Sequence, residues 1–325
     1  MVEAGHRFEG ERAHQREGVM ATLEWIVART LFPAVLGGAL IYAISRIQAG
    51  VPAAQAIALP TLLAYLVIAA FERVFYWQES WLHSRGDLKV DVGHLLVSGL
   101  FTTRALTVPV TIGAVAAAGW LSGYTEGSLW PNDWSLWLQL PLALVFGEFF
   151  MYWIHRLGHE VDFLWRFHAM HHSAPRLYFL NAVRFHPVDI ALSTFSPMIP
   201  LLVIGADERI IALFGLVSAV HGLFQHANIV LRLGPLNWLF SMAELHRWHH
   251  SRLLEESNTN FGQNLIVWDI VFGTRFLPKD RDPPSEIGIA GLPAFPMDYW
   301  GQLMSPLNWH RIHEQSAAVE AIRAD

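Results

Sequence analysis

The sequence contains no cysteine among its 325 residues. This absence excludes thiolate zinc sites, iron–sulfur clusters held by cysteine, and disulfide bonds. Several catalytic motifs are also missing, namely the phosphate-binding P-loop, the dinucleotide-binding glycine fingerprint and the GxSxG nucleophile elbow. The HExxH motif of zinc hydrolases is incomplete, because His159 and Glu160 are followed by Val161, Asp162 and Phe163.

Charged residues are scarce as well. They make up 15% of the chain, with a net charge of -6, whereas a soluble domain usually carries about 25%. No block of basic residues suggests a nucleic-acid partner. Hydrophobic residues account for 53% of the chain, and the mean hydropathy is +0.31. The long apolar runs therefore predict an integral membrane protein with several passes.

The apolar runs predict the fold class. We expect an all-α membrane bundle with about four spanning helices, near 23–47, 56–77, 92–120 and 134–153. A further apolar stretch at 190–224 is interrupted by Pro197 and Pro200 and split by a charged cluster at 207–209. Each half is short for a spanning helix, so this stretch predicts a re-entrant or interfacial hairpin. A histidine-rich helical metal domain is expected to cap the bundle.

These features divide the chain into four predicted regions. Residues 1–20 are a flexible cytoplasmic N-terminus, and residues 21–154 form the transmembrane helices. Residues 155–277 are the histidine-rich catalytic region, with the membrane hairpin 190–224 inside it. Residues 278–325 form a cytoplasmic C-terminal tail.

Basic residues predict how the chain is oriented. The loops after the first and third predicted spans contain no Lys or Arg, whereas the N-terminus, the loop 79–91 and the region after the fourth span contain many. The positive-inside rule then places both termini and the histidine-rich region on the cytoplasmic side. Arg46, at the outer end of the first span, is the exception.

Three groups of histidines dominate the second half of the sequence. The first has two histidines four residues apart, and the other two share the pattern HxxHH. The eight residues are His155, His159, His168, His171, His172, His246, His249 and His250. On a helix, residues three or four apart lie on one side, and neutral imidazole is the commonest ligand of borderline transition metals. Eight imidazoles exceed the four to six ligands of one ion, so the spacing predicts a site for two metals.

Other residues are candidates for the same site. His226 and His221 lie toward the end of an apolar stretch, where they would be ligands or would orient ligands; His186 is a weaker candidate, since HPVD also suits a helix-start turn with Asp189 near the cap. Glu148, in an apolar helix, either accepts a hydrogen bond from a ligand histidine or pairs with the intramembrane Arg104. Tyr152 and Asn260 are further candidates to support the site. Tyr152 lies on the helical face of Glu148 and His155, and Asn260 suits either a hydrogen bond to a histidine N–H or a turn.

Four sequence segments resemble the fatty acid hydroxylase superfamily, also called the sterol desaturase family. They are HRLGHEVDFLWRFHAMHHS, HANIVLRLGPLNWL, ELHRWHHS and NFGQNLIVWDIVFGT, and the resemblance covers about 140–276. The first histidine group, HRLGHE, is similar to that of the alkylglycerol monooxygenases, which also have glutamate after the second histidine. This similarity makes Glu160 a further candidate to support the site.

The resemblance implies an enzyme with two iron ions bound by the eight grouped histidines, with His226, and less securely His221, as further family histidines. It implies that O2 is used to hydroxylate a C–H bond of a lipid such as a sterol, fatty acyl chain, carotenoid or ether lipid. No HPGG motif of a fused cytochrome b5 domain is present. The electrons are therefore expected from a separate ferredoxin- or cytochrome-type partner, or from a pterin.

Three alternatives remain at this stage. A desaturase of the same superfamily would use the same metal site. A membrane zinc hydrolase would work without O2, although zinc can also replace iron during purification. A metal-stabilised membrane protein without catalytic activity would keep the histidines and consume no O2.

Overall fold

A computed structural model of the chain describes the backbone of residues 2–125 and 128–324 and the side chains of 18–124 and 128–322. In these residues the secondary structure is helical, with three isolated β-bridges and no strand. The α-helices are, in chain order, α1 Val2–Gln48, α2 Ala53–Val74, α3 Leu88–Gly93, α4 Thr102–Thr125, α5 Leu136–Glu160, α6 Asp162–His172, α7 Pro187–Val203, α8 Glu208–His226, α9 Ala243–His249, α10 Leu254–Ser257, α11 Val267–Phe272, α12 Tyr299–Met304 and α13 Trp309–Ala324. A π-helical stretch, His94–Phe101, joins α3 to α4 without a break.

Five helical segments of the described chain are long and apolar enough to cross a membrane. They are Gly18–Gln48, Ala53–Val74, Leu88–Tyr124, Leu136–Glu160 and Glu208–His226. The all-α membrane class is thus confirmed. Four of these segments correspond to the predicted spanning helices, and the fifth, Glu208–His226, is the second half of the predicted hairpin.

The predicted hairpin 190–224 is present as α7 and α8, but it is deeper than a short re-entrant loop. Its turn lies beside the loop before α5, where Asn132 Nδ2 donates to Gly205 O at 3.0 Å. That loop is at the opposite end of α5 from His155, so the hairpin extends along most of this helix. Pro197 and Pro200 lie inside α7 and do not end it. In an apolar environment no water replaces broken backbone hydrogen bonds, so a helix persists through proline more readily than in water.

The two ends of α2 lie at opposite ends of the bundle, one near the histidines and one away from them. The backbone N–H of Trp77, just after α2, donates to Asn228 O at 3.2 Å, which places the end of α2 beside His226. The start of α2 and the turn at 49–52 are therefore at the far end of the bundle. The two loops without Lys or Arg thus lie at the end away from the histidines, as the charge pattern predicts. Which compartment that end faces stays a prediction.

Close packing fixes α5 against the hairpin. A Cβ atom placed on Gly147 would lie 2.7 Å from the ring of Phe214 in α8 and 3.1 Å from Pro197 in α7. The contact with Phe214 is shorter than real Cβ atoms show, so a larger residue at position 147 would force the Phe214 ring or the helices to move apart. The close approach brings the histidines at the end of α5 next to those at the end of α8.

The side chains of the C-terminal tail are described almost to its end, whereas most of those in the N-terminal region are not. The N-terminal region predicted for 1–20 falls mostly on residues whose side chains lie outside the described part, and its flexibility stays a prediction. The C-terminal tail, predicted for 278–325, lies against the histidine-rich region. Gln302 Nε2 donates to Ser173 Oγ at 3.2 Å, directly after the last residue of α6, and Ile287 forms a bridge with Ser251, directly after His250. The tail therefore packs over the ends of α6 and α9.

Candidate metal centre

Nine histidines from four helices meet at one end of the bundle. They form two groups, and within each group the nearest ring nitrogens lie within 4.8 Å of one another. The first group is His155, His159, His168, His172 and His249, and the second is His171, His226, His246 and His250. All of the second group and most of the first are buried. The structure thus brings together the eight grouped histidines and His226.

Each HxxHH pattern is divided between the two groups. In α6, His168 and His172 belong to the first group and His171 to the second. At the end of α9 the division is reversed, because His246 and His250, the residue directly after the helix, belong to the second group and His249 to the first. Residues i and i+4 point almost the same way on a helix, whereas residue i+3 lies about 100° from i+4. The three histidines of one pattern therefore share a side of the helix but serve two neighbouring sites.

Six of the rings have one nitrogen fixed by an oxygen atom. The Nδ1 atoms of His155, His168 and His249 lie 2.6 Å from Phe261 O, 2.8 Å from Asp189 Oδ2 and 2.8 Å from Thr259 O. The Nδ1 atoms of His159, His226 and His171 lie 3.2 Å from Asn258 Oδ1, 2.8 Å from Asn181 Oδ1 and 3.3 Å from Arg184 O. Because these oxygens accept hydrogen bonds, each Nδ1 carries a proton, and in the neutral ring this tautomer leaves Nε2 with a free lone pair.

These lone pairs are directed into the two groups. The Nε2 atoms of His155, His159 and His249 are buried and have no hydrogen-bond partner in the described part of the chain. A buried polar atom left without a partner costs about 1–3 kcal/mol. In the second group, His246 Nε2 lies 3.0 Å from the Nε2 atoms of both His226 and His250. Unpaired nitrogens that face each other at this distance fit a pair of metal ions, which would satisfy all of them.

The protonation state also suits metal binding. Burial, and after it the neighbouring imidazoles, holds the pKa of five of these rings well below the usual value. They are His171, His172, His246, His249 and His250. A lowered pKa keeps imidazole neutral at physiological pH, and neutral imidazole is the form that binds a metal.

Asp189 is the one carboxylate bonded to a histidine of the two groups in the described residues. His186 caps the start of α7 through an Nδ1 that accepts from Val188 N at 3.1 Å, and Pro187 follows as the first helical residue. This is the helix-start turn that the sequence suggests. Asp189, however, bonds to His168 rather than only to its own helix. A carboxylate in this place fixes the ring and raises its basicity toward a metal. Asp189 lies 21 positions from His168, so no local pattern predicts the pair.

His221 and His186 are not brought into either group. The ring of His221 packs edge-on against Phe32, with centroids 5.6 Å apart, and lies 6.0 Å from Phe240. His186 uses both nitrogens on the backbone, since its Nε2 lies 3.2 Å from Leu303 O. The expectation of His221 as a ligand is therefore not supported by its position in the structure.

Glu148 has neither of its two expected roles. Its carboxylate accepts hydrogen bonds from the backbone N–H of Gln263 and Asn264 and from Asn264 Nδ2, while Arg104 is exposed on the outside of the bundle. The reason is that the loop between α10 and α11 folds back onto α5 and presents backbone N–H groups to the carboxylate. Glu148 thus fixes the loop that supplies Phe261 O to His155.

The other supporting candidates also bond elsewhere. Tyr152 Oη lies 3.0 Å from Thr274 Oγ1. Glu160 forms an ion pair with Arg156 at 2.8 Å on the surface. Asn260 has a positive φ of 54° and bonds through its side chain to the backbone at Leu245 and Phe276, so its turn role is the one observed. The neighbouring Asn258, by contrast, bonds to His159.

A second carboxylate, that of Asp269, holds the loop that Glu148 also bonds to. Asp269 accepts hydrogen bonds from the backbone N–H groups of Phe261 and Gly262 at 2.8 and 2.7 Å, and burial raises its pKa to about 6. A Cβ atom on Gly262 would lie 2.3 Å from Leu265 O, so this tight turn requires glycine. The loop is therefore fixed from two sides.

Two openings lead to the histidines. A mainly apolar cavity is lined by Met151, Ser193 and Gly222 from α5, α7 and α8 and reaches rings of both groups. A second cleft reaches His159 and His172 from the side of the C-terminal tail, at 288–290. The site is thus accessible from the apolar helices and, separately, from the polar end of the molecule.

These features define a multi-pass membrane protein in which nine histidines from distant parts of the chain cluster beside an apolar cavity. The model of the family described as fatty acid hydroxylase matches residues 140–274. Ornithine lipid hydroxylase OlsE of Rhizobium tropici is 39% identical over 246 residues, which are 74% of this chain and 72% of that protein. The chain belongs to the fatty acid hydroxylase family and is an oxidoreductase that acts on lipids.

More distant relatives share the same region. Alkylglycerol monooxygenase of Xenopus tropicalis is 30% identical over 152 residues, or 46% of this chain and 32% of that protein. A Delta(7)-sterol 5(6)-desaturase of Gibberella zeae is 26% identical over 224 residues, or 67% and 61%. No solved structure matches the chain significantly.

Proposed function

We propose that this chain hydroxylates a C–H bond of an amino-acid-containing membrane lipid of the ornithine lipid type. The proposed reaction consumes O2, two electrons and two protons, and gives the alcohol and water. The observation that carries the proposal is the convergence of nine imidazoles into two groups beside an apolar cavity. The lipid class is supported by the similarity to ornithine lipid hydroxylase, which covers 72% of that relative.

In this proposal the two groups each hold one iron ion. Five imidazoles are available to the first iron and four to the second, and all nine are ligands. Once bound, the iron pair supplies the activation of O2. Zinc fits the same nitrogen donors and can replace iron during purification.

The protein's own side chains would arrange the reactants. The apolar cavity between α5, α7 and α8 admits part of a lipid directly from the bilayer and holds it against His155, His171 and His246. The cleft on the polar side reaches His159 and His172, where a separate ferredoxin- or cytochrome-type donor, or a pterin, would deliver electrons. The proposed orientation places this polar side, and both termini, in the cytoplasm.

A lipid comparison tests the proposal. The chain would be expressed in a bacterial host that makes ornithine lipids, and the lipids would be compared by mass spectrometry with those of a host expressing His171→Ala. We expect an ornithine lipid with one added oxygen only with the wild-type chain. Growth under ¹⁸O2 should place the heavy isotope in that lipid.

Other results would change the proposal. A lipid that has lost two hydrogens would identify a desaturase, which the similarity to a sterol desaturase supports. An oxygenated lipid of another class would correct the substrate. Unchanged lipids, together with a purified chain that contains no iron after reconstitution, would contradict the proposed function.

A further inference from the structure

The segment 176–184, between α6 and α7, has no metal-ligand candidate but contacts two rings of the second group. Its Arg184 carbonyl oxygen lies 3.3 Å from His171 Nδ1, and Asn181 Oδ1 lies 2.8 Å from His226 Nδ1. Half of the second group is therefore oriented by one short segment. We call residues 176–184 the orienting segment.

Two buried ion pairs fix the orienting segment to the start of α3. Arg176 Nε lies 2.6 Å from Asp87 Oδ2, and Arg184 Nε lies 2.6 Å from Asp91 Oδ1. The four side chains are at most 5% exposed. Tyr178 Oη adds a hydrogen bond to Asp91 Oδ2 at 2.7 Å. Both ends of the segment are thus tied to neighbouring turns of one helix.

These connections continue to the histidines without a gap. Asn181 Nδ2 donates to the carbonyl oxygen of Arg176, which leaves Asn181 Oδ1 facing His226. Arg184 bonds to Asp91 through its side chain and to His171 through its backbone. A shift of either arginine therefore moves an acceptor that fixes a ring.

The first group is supported by other parts of the chain. The oxygens on its rings belong to 258–261 and to Asp189 in α7. Neither part contacts Asp87 or Asp91 through any of the hydrogen bonds seen in the described residues. The two aspartates are therefore connected to one group and not to the other.

The energetics favour a role in positioning. Buried ion pairs often contribute little net stability, because the cost of desolvation offsets the attraction. They do define geometry, since a misplaced partner leaves a buried charge unpaired. Two such pairs, one turn apart at the start of α3, therefore fix the position of the orienting segment along the axis of that helix.

We propose that Asp87 and Asp91 are positioning residues for the second metal group. Through Arg176 and Arg184 they hold the orienting segment so that His171 and His226 present Nε2 to the metal. The proposal rests on the proposed function, in that the two groups bind metal. It adds that assembly of the second metal site depends on the start of a membrane helix that supplies no ligand.

The main experiment compares Asp91→Asn with the wild-type chain, both full length and purified in detergent. Iron per chain and the signal of an uncoupled ferric ion would be measured after anaerobic reconstitution with ferrous iron and brief exposure to air. We expect about two irons per wild-type chain and about one in the variant, with affinity for the second lowered about tenfold or more. The residual ion should give a mononuclear electron paramagnetic resonance signal.

Two further variants control for general damage. Asp282→Asn removes an exposed partner of Arg232, at 3.6 Å, and should keep both irons. Tyr178→Phe removes only the hydroxyl that bonds to Asp91, so it should fold even if Asp91→Asn does not. We expect Tyr178→Phe to lose the second iron faster to a chelator than wild type does, and the first at an unchanged rate.

The outcomes separate this inference from the proposed function. A wild-type chain that never binds two metals would contradict the proposed function and leave nothing to position. Two irons in wild type and the same content and chelation rates in both Asp91→Asn and Tyr178→Phe would overturn this inference alone. Equal loss of both irons in these variants, with a lower unfolding temperature, would also overturn it, because the aspartate would then be merely structural.

Discussion

The two histidine groups are built from the same sequence patterns but supported in different ways. The first group has five rings, and its acceptors come from the loop 258–261 and from α7. The second has four rings, two of them oriented by the segment 176–184. In the proposed metal centre the histidine motifs would supply the ligands, whereas separate loops would decide how rigidly each metal is held.

The number of rings gives the largest expected difference. Substituting His226→Ala leaves three imidazoles in the second group, and we expect about one iron per chain and at least about 100-fold lower turnover, since even indirect support is worth up to that factor. Iron analysis and lipid product would be measured on the same preparation. Two tightly bound irons in this variant would show that His226 is not a ligand.

A matched change in the first group sharpens the comparison. Substituting His159→Ala leaves four imidazoles, the number that the second group has in the wild-type chain. We therefore expect this variant to keep about two irons at saturating iron, with the first bound about tenfold more weakly. If instead it loses one iron completely, the fifth ring is essential and the two groups are not equivalent.

Asp189 provides the next largest effect. Substituting Asp189→Asn keeps an oxygen near His168 Nδ1 but removes the negative charge, so the ring becomes a weaker donor. We expect metal binding in the first group to be about tenfold weaker and metal binding in the second group to be unchanged. Competition with a chelator would resolve the two rates, and equal weakening of both groups would contradict their separate support.

A smaller effect is expected at His221, which lies outside both groups. His221→Phe keeps a planar ring between Phe32 and Phe240 and removes a polar group from an apolar surrounding. We expect unchanged iron content, and a change in unfolding free energy of no more than about 1–3 kcal/mol. Loss of one iron would return His221 to the ligand set.

The smallest effect is expected at Glu160. Its ion pair with Arg156 is partly exposed, with 44% of the glutamate side chain accessible, and exposed pairs contribute about 0–1 kcal/mol. Glu160→Gln should therefore leave iron content and product formation within about twofold of wild type. A large loss of either would mean that the conformation in the presence of lipid differs from the one described.

Much of the site could be predicted from residues close together in the sequence. The helical spacing of the eight grouped histidines predicted that they share a site, and the position of His226 at the end of an apolar stretch made it a candidate for the same site. Glu148 was recognised as a buried carboxylate that needs a partner, but its partners were wrongly expected to be a histidine or Arg104. They are N–H groups 115 and 116 positions away, and no local pattern encodes such a distance.

The sequence by itself determined the class of the protein, its helical membrane fold and the residues available to bind metal, because hydropathy and helical periodicity are local properties. Only the tertiary structure decided how the histidines divide into two groups, that Asp189 bonds to His168, and that Asp87 and Asp91 connect to the second group. These contacts depend on which helix ends lie next to each other. That arrangement is set by helix packing, such as the packing of Gly147 against Phe214. Packing of this kind joins residues from distant parts of the chain, so it exists only once the chain has folded.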